Sequence, residues 1–218
     1  MYWNKRISLK ISLTGLLLAL MIVFDVWSQL MPFNGFLKFN LSLIFTLTIF
    51  QFIGFKWGIF SLITLFLFSP AYSSLGYDIA GLFGTFMQVL TQFVFVMSYL
   101  LLNKLFFRRK NQKIKSKNRA DLFKIIFAIL STTLIMVAIN IFFATPLFFK
   151  LFKLSKHYDF IHFSKEYGKF KALFFFIPNY YLGTFVTYFL FNIANLSINS
   201  IVIYISNYNI NRIAKNIF

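Results

Sequence analysis

The stretch Ile79 to Phe106, IAGLFGTFMQVLTQFVFVMSYLLLNKLF, runs for 28 residues with one charged side chain, Lys104, close to its end. A hydrocarbon layer about 30 Å thick takes roughly 20 helical residues to cross. The run is therefore a membrane-spanning helix with length to spare. Gly81, Gly84, Gln88 and Gln92 recur at intervals of three and four, the period of a helix and not the two-residue alternation of a barrel strand.

Working outward, the same pattern repeats along the chain. Before this helix, Ser69 to Asp78 (SPAYSSLGYD) reads as a loop rich in turn residues. Upstream lie apolar runs at about 9–30, 41–53 and 55–68, the last two joined by a tight reversal, Gly54 to Gly58 (GFKWG). Pro32, Asn34 and Gly35 break the chain after the first run, in Met31 to Asn40 (MPFNGFLKFN). Downstream, apolar runs at about 122–149 and 178–205 complete the set, with Pro178 suited to a first helical turn. The expectation is an all-α, multi-pass protein of the cell membrane. Six transmembrane helices form a single membrane domain, 1–218, with both termini inside.

Composition agrees. Hydrophobic residues make up 59% of the chain and charged residues 12%, against about 25% charged in a soluble domain. The net charge of +17 belongs to loops, where Lys and Arg set orientation and meet anionic headgroups. No nucleic-acid role is expected. With the N-terminus inside, Lys5, Arg6, Lys10, Lys56, Arg212, Lys215 and the basic loop 104–124 fall on the inner side. Lys38 and the lysines at 150, 153, 156, 165, 169 and 171 fall outside. Lys5, Arg6 and Lys10 precede an apolar run that continues to Leu30 without a small-residue cleavage site, so it reads as a retained helix.

Few residues offer chemistry. The chain has no Cys, no phosphate-cradling glycine loop and no inverted repeat of a self-sufficient transporter. His157 and His162 lie in the lysine-rich loop near Asp159 and Glu166. Spacing alone reads there as a solvated loop, because a metal site also needs enforced geometry. No enzyme activity and no cofactor are expected.

Asp25 is the acidic residue deep in an expected helix, with Gln29 one turn on. A charge at membrane depth reads as a ligand acceptor or as an interface residue reaching water. Gly15 and Ala19 form a small-xxx-small pair that lets another helix approach. The run at 122–149 carries Thr133 and Asn140 on one stripe, and the run at 178–205 carries Tyr180, Thr184, Tyr188, Asn192, Asn195 and Asn199. Such polar stripes either bond between helices or line an aromatic pocket. Here the expectation is that Asn140, Tyr180 and Thr184 touch ligand while the deeper asparagines serve packing. Trp27, Tyr77 and Tyr180 offer rings for stacking.

These residues carry a resemblance. Phe33 to Ser42 (FNGFLKFNLS) is similar to the FLKLDFSD-type loop of the riboflavin-specific S components of energy-coupling factor (ECF) transporters. Thr133 to Leu147 (TLIMVAINIFFATPL) is similar to that branch's TLxMTxxNYFxxxPL stretch, with Asn140 and Pro146 at matching spacing. Ile177 and Pro178 resemble the opening of its IPFN segment. The chain has Asn40 and Leu43 where the branch has acidic residues, and Tyr180 and Gly183 where it has Asn and Lys.

The resemblance covers most of the chain. It implies a six-helix protein that captures a vitamin outside, riboflavin before folate, pyridoxine or thiamine. It further implies docking, through Gly15 and Ala19, on a transmembrane T component driven by two cytoplasmic ATPases. The ligand site it implies takes in Asn140 and residues of Met31 to Asn40, among them Phe36, Leu37, Lys38 and Asn40, to which the polar and aromatic positions add Asp25, Gln29, Tyr77, Gln88, Tyr180 and Thr184 as candidates. A membrane enzyme acting on lipid through His157, His162 and Asp159, or a structural scaffold, are the rival readings.

Overall fold

The computed structural model describes residues 2–34, 37–106 and 114–217, with side chains described for 7–34, 37–102 and 121–206. Phe36, the centre of the basic loop at 107–113 and most of that loop's side chains lie outside the described residues. Apart from an isolated bridge between Pro32 and Lys38, the described residues are helical or irregular.

Helix α1 spans Tyr2–Ser28. Helix α2, Leu43–Thr48, passes into a π-helical turn, Ile49–Ile53, and stops at Gly54, whose φ of 129° closes the helix to other residues. Helix α3 (Phe55–Tyr72) then turns back, followed by α4 (Ile79–Phe106) and α5 (Ile114–Ile139). A second π-helical turn, Asn140–Ala144, joins α5 to α6 (Thr145–Leu151). A loop carries the short α7 (Phe160–Glu166) and two 3₁₀ turns, and α8 (Tyr180–Ile217) ends the fold.

This is an all-helical membrane protein. Among the described residues, five helices are long and apolar enough to cross a bilayer: Ile7–Ser28, Phe55–Tyr72, Ile79–Leu102, Asp121–Leu151 and Tyr180–Ser206. The sixth apolar helix, Leu43–Ile53, reaches only about 16 Å at 1.5 Å per residue, roughly half the hydrocarbon thickness. The faces turned outward are rich in Leu, Ile, Val and Phe, as on α1 at Leu9, Ile11, Leu16, Leu20 and Val23. Surrounding lipid is as apolar as these side chains, so close packing and hydrogen bonds must hold the helices together.

Two glycines show how close that packing is. A β-carbon at Gly58 would stand 2.4 Å from the Phe50 ring, so the α2–α3 hairpin closes with ring on backbone. One at Gly183 would stand 1.9 Å from the Tyr167 hydroxyl, which has no hydrogen-bond partner. Gly183 thus admits Tyr167, the buried ring that seats the α7 loop on α8. Gly183→Ala should cost about 1–3 kcal/mol by overpacking. Adding Tyr167→Phe, which removes the obstructing oxygen, should recover most of that loss in a thermal-denaturation cycle. Additive losses would show that the contact is not the cause.

Several boundaries differ from expectation, each for a local reason. Helix α3 runs through Pro70 to Tyr72 instead of ending near Phe68, because Ser69 and Tyr72 in that last turn both bond a buried acceptor on α1. Helix α5 begins at Ile114, before the expected Leu122, and brings in a buried Asp121–Lys124 ion pair with Lys124 over the Tyr99 ring. A carboxylate besides Asp25 therefore lies buried in a helix. Pro146 sits in the first turn of α6, where the preceding π turn has already reset the hydrogen-bond register. Helix α8 starts at Tyr180, two residues after Pro178, because the Asn179 side chain accepts the Leu182 N–H at 3.0 Å and caps it.

Candidate functional site

A cavity of about 500 Å³ opens inside the helical cluster. Its walls come from the C-terminal ends of α1 and α3, the first half of α4, the α5–α6 junction and the middle of α8. It therefore lies at the end of the cluster where α1 finishes, away from the N-terminus. Leu37 to Asn40 close it on one side, and Phe152, Leu154 and Leu173 on another.

The wall is largely aromatic. Phe39, Phe83, Phe148, Phe149, Phe152 and Phe191 line it, with Met87 and Met136. Phe33 braces this wall from behind, with ring centroids 5.5 Å from Phe39 and 5.4 Å from Phe191. A flat conjugated ligand finds edge and face contacts there, each worth about 0.5–1.5 kcal/mol beyond its buried area.

Behind the apolar wall runs a continuous polar network. Asp25 is fully buried and accepts from four side chains: Asn40, Ser69 at 2.7 Å, Tyr72 at 2.6 Å and Gln88 at 2.5 Å. Two carboxylate oxygens offer about four acceptor positions, so this one is saturated. A ligand group reaching Asp25 would have to displace a protein donor. Its cage joins α1, the 31–42 loop, α3 and α4 in one knot.

Asn40 carries the network onward. Its side-chain oxygen accepts from the Ser42 N–H and hydroxyl. Gln92 donates to Ser42 at 2.6 Å and accepts from Thr46 at 2.6 Å. The Asn40 backbone is gripped by α8: its N–H donates to the Asn195 oxygen at 2.9 Å, and its carbonyl accepts from Asn199 at 2.7 Å. Two of the deeper asparagines thus pin the loop that forms the cavity wall.

Asn192, one turn before Asn195, behaves differently. It lines the cavity and is 3% exposed, and its side-chain N–H₂ has no hydrogen-bond partner. An unmet buried donor costs about 1–3 kcal/mol, and this one is sealed from the cavity, so a ligand would reach it only after the Asn192 side chain turns. Lys38 is the one cation among the described residues of the wall, and its ammonium donates to Gln29 at 2.8 Å on an exposed rim.

Of the expected ligand residues, Gln29, Leu37, Lys38, Asn40, Gln88 and Asn140 line the cavity. Asn140 opens the π turn, and its amide donates to the Met136 carbonyl at 2.7 Å. π turns concentrate at functional sites, and this one brings Asn140 and Ala144 to the wall. Four residues stand elsewhere. Asp25 lies behind the wall. Tyr77 is exposed and donates to the Leu67 carbonyl at 2.8 Å. Tyr180 donates to the Ile141 carbonyl of the π turn and packs against Phe163 and Tyr167. Thr184 is fully buried outside the cavity. Trp27 is half-exposed on the outer face of α1.

The α7 loop holds a second cluster. Asp159 caps α7 by accepting the His162 N–H at 2.9 Å, and its carboxylate also meets the His162 ring at 2.8 Å. The cap amide first, and then the imidazole, hold the Asp159 carboxyl below its ordinary range. Burial pushes the Tyr167 phenol, in the same loop, up to about 12.

Fold and cavity together define an α-helical membrane protein with a partly open, aromatic-walled cavity of small-molecule size. No family model matches the chain, and no curated protein matches it.

Proposed function

We propose that the chain is the substrate-binding S component of an ECF-type vitamin importer of the cell membrane, taking up riboflavin or a related flat heteroaromatic vitamin. The observation that carries the reading is the cavity. Its volume, about 500 Å³, lies within the roughly 300–1,000 Å³ usual for small-molecule sites. Its phenylalanine walls, edged by Gln29, Asn40, Gln88 and Asn140, suit a neutral ring system with a polar edge. Among the described wall residues no anion meets cationic thiamine, and Asp25, behind the wall, is already fully bonded.

In this reading the helix of 41–53 counts as a sixth crossing, completed by its neighbours, and both termini face the cytoplasm beside the basic run 104–124. The cavity then opens outward. Gly15 and Ala19 are both exposed, and a β-carbon at Gly15 would meet nothing within 4 Å. That bare, small-residue stretch of α1 is where a T component, itself coupled to two ATPases, would pack.

The test is ligand protection of the purified protein. Riboflavin at 100 times its dissociation constant should stabilise the fold by about 2.7 kcal/mol, a clear rise in denaturation midpoint. If riboflavin, folate, pyridoxine and thiamine all leave the midpoint unmoved, the capture role fails. Gly15→Trp should leave that protection intact while abolishing co-purification with a T component. Undiminished association would mean that the docking face lies elsewhere.

A further inference from the structure

The segment from Ser155 to Glu166 reads His157-x-Asp159-x-x-His162-x-x-x-Glu166. None of these four residues lines the cavity or joins the Asp25 network. The folded segment nevertheless draws them together. One ligand-capable atom from each of His157, Asp159 and His162 lies within 4.8 Å of the other two. The two imidazoles stack with centroids 5.0 Å apart and planes 23° apart. The fourth member, Glu166, sits one helical turn beyond His162 on the same face of α7, with Oε1 at 3.9 Å from Nε2 of His157.

We propose that these side chains form a binding site for a divalent transition-metal ion, with Zn²⁺ as the best fit. Zinc takes histidine nitrogens at about 2.0–2.1 Å and carboxylate oxygens at about 2.0–2.2 Å, so neighbouring ligand atoms stand roughly 3.4 Å apart around it. The present spacing, up to 4.8 Å, is wider than that, so the side chains would have to draw in around the ion. The donor set of two imidazoles and two carboxylates favours zinc and its first-row neighbours over Mg²⁺ or Ca²⁺, which prefer all-oxygen sites.

Supporting contacts are already in place. Asp159 already meets the His162 ring at Nδ1, so the two groups stand side by side and would exchange this contact for bonds to the ion. Ser155 donates to Glu166 at 3.0 Å and accepts the His157 N–H at 3.1 Å. One hydroxyl thus sets both the carboxylate and the segment carrying the first imidazole. The surrounding lysines oppose a cation, but two carboxylates offset a dipositive ion locally, and water screens exposed charges beyond about 8–10 Å.

Bound metal would fasten α7 to the segment leaving α6. Phe163 and Tyr167, on and just after α7, are buried, and Leu154 and Leu173, which flank it in sequence, close the cavity. The ion would act as a staple on the cavity's roof.

The experiment is calorimetric titration of the full-length, tag-free protein in detergent, stripped with EDTA and titrated with ZnCl₂. One Zn²⁺ per chain at micromolar affinity or tighter is expected, with a raised denaturation midpoint and no response to MgCl₂. His157→Ala and His162→Ala should each weaken uptake at least tenfold. Asp159→Ser keeps a helix-capping oxygen but removes the carboxylate, so it should weaken zinc binding while leaving the metal-free midpoint near wild type. Absence of saturable uptake, or uptake unchanged in both histidine variants, overturns the proposal.

Discussion

Asp25→Ala is expected to be among the most destabilising single substitutions in the chain. It removes one carboxylate and strands donors from Asn40, Ser69, Tyr72 and Gln88, of which Ser69 is buried and the other three half-buried. Each stranded buried donor costs about 1–3 kcal/mol. Even with regrouping, a loss of about 3 kcal/mol or more should remain, which lowers the midpoint of a domain this size by roughly 6–12 °C. Asp25→Asn separates bonding from volume, since it keeps the shape but points an N–H₂ at groups that also donate. It too should destabilise clearly. A wild-type midpoint for both variants in detergent would show that the four donors do not depend on Asp25. Because Asn40 and Gln88 belong both to this cage and to the cavity wall, surviving protein should also bind ligand more weakly.

Gly84→Phe should act in the opposite sense. Gly84 lines the cavity, and a β-carbon there meets nothing within 4 Å. A phenyl ring has room to enter without moving backbone, and replacing a mid-helix glycine recovers roughly 0.5–1 kcal/mol of helix stability. The midpoint should hold or rise while ligand affinity falls by roughly 100-fold or more, about 2.7 kcal/mol. Nearby Gly81 is the control for crowding, since its β-carbon would strike the Gly76 carbonyl oxygen at 2.3 Å. Gly81→Ala should therefore destabilise where Gly84→Phe does not. Ligand affinity unchanged in Gly84→Phe would mean that the ligand sits elsewhere.

What the sequence made legible follows from which forces act over short range. Apolar runs of bilayer length announce five long helices directly, because no other arrangement satisfies their backbone in lipid. Composition said equally plainly that the solvent is hydrocarbon. The π turns at Ile49–Ile53 and Asn140–Ala144 leave no such signature, since the phase shift of about 100° that one extra residue brings cannot be seen in runs that are apolar on nearly every face. Pro70 looked like a helix end because the bonds that hold its turn go to Asp25, 45 positions earlier in the chain.

The site was legible in kind more than in detail. Asn140, Gln88, Asn40 and the rim pair Gln29 and Lys38 reach the cavity. Asp25 drew notice as a charge at depth, yet its partners come from three separate segments that only folding assembles. Among 34 phenylalanines, nothing local marks the six on the cavity wall. The asparagines of α8 share one stripe in sequence, and only contact with Asn40 distinguishes Asn195 and Asn199 from Asn192, whose amide nitrogen is buried without a partner.

The central claim is an outward-opening chamber that holds a neutral aromatic guest. The chain contains no cysteine, so a single Ser74→Cys substitution, at an exposed position on the cavity wall, reports on that place alone. A membrane-impermeant maleimide should label it in intact cells, and added riboflavin should slow the labelling. Labelling that appears only after the membrane is opened would put the chamber on the cytoplasmic side and contradict the account.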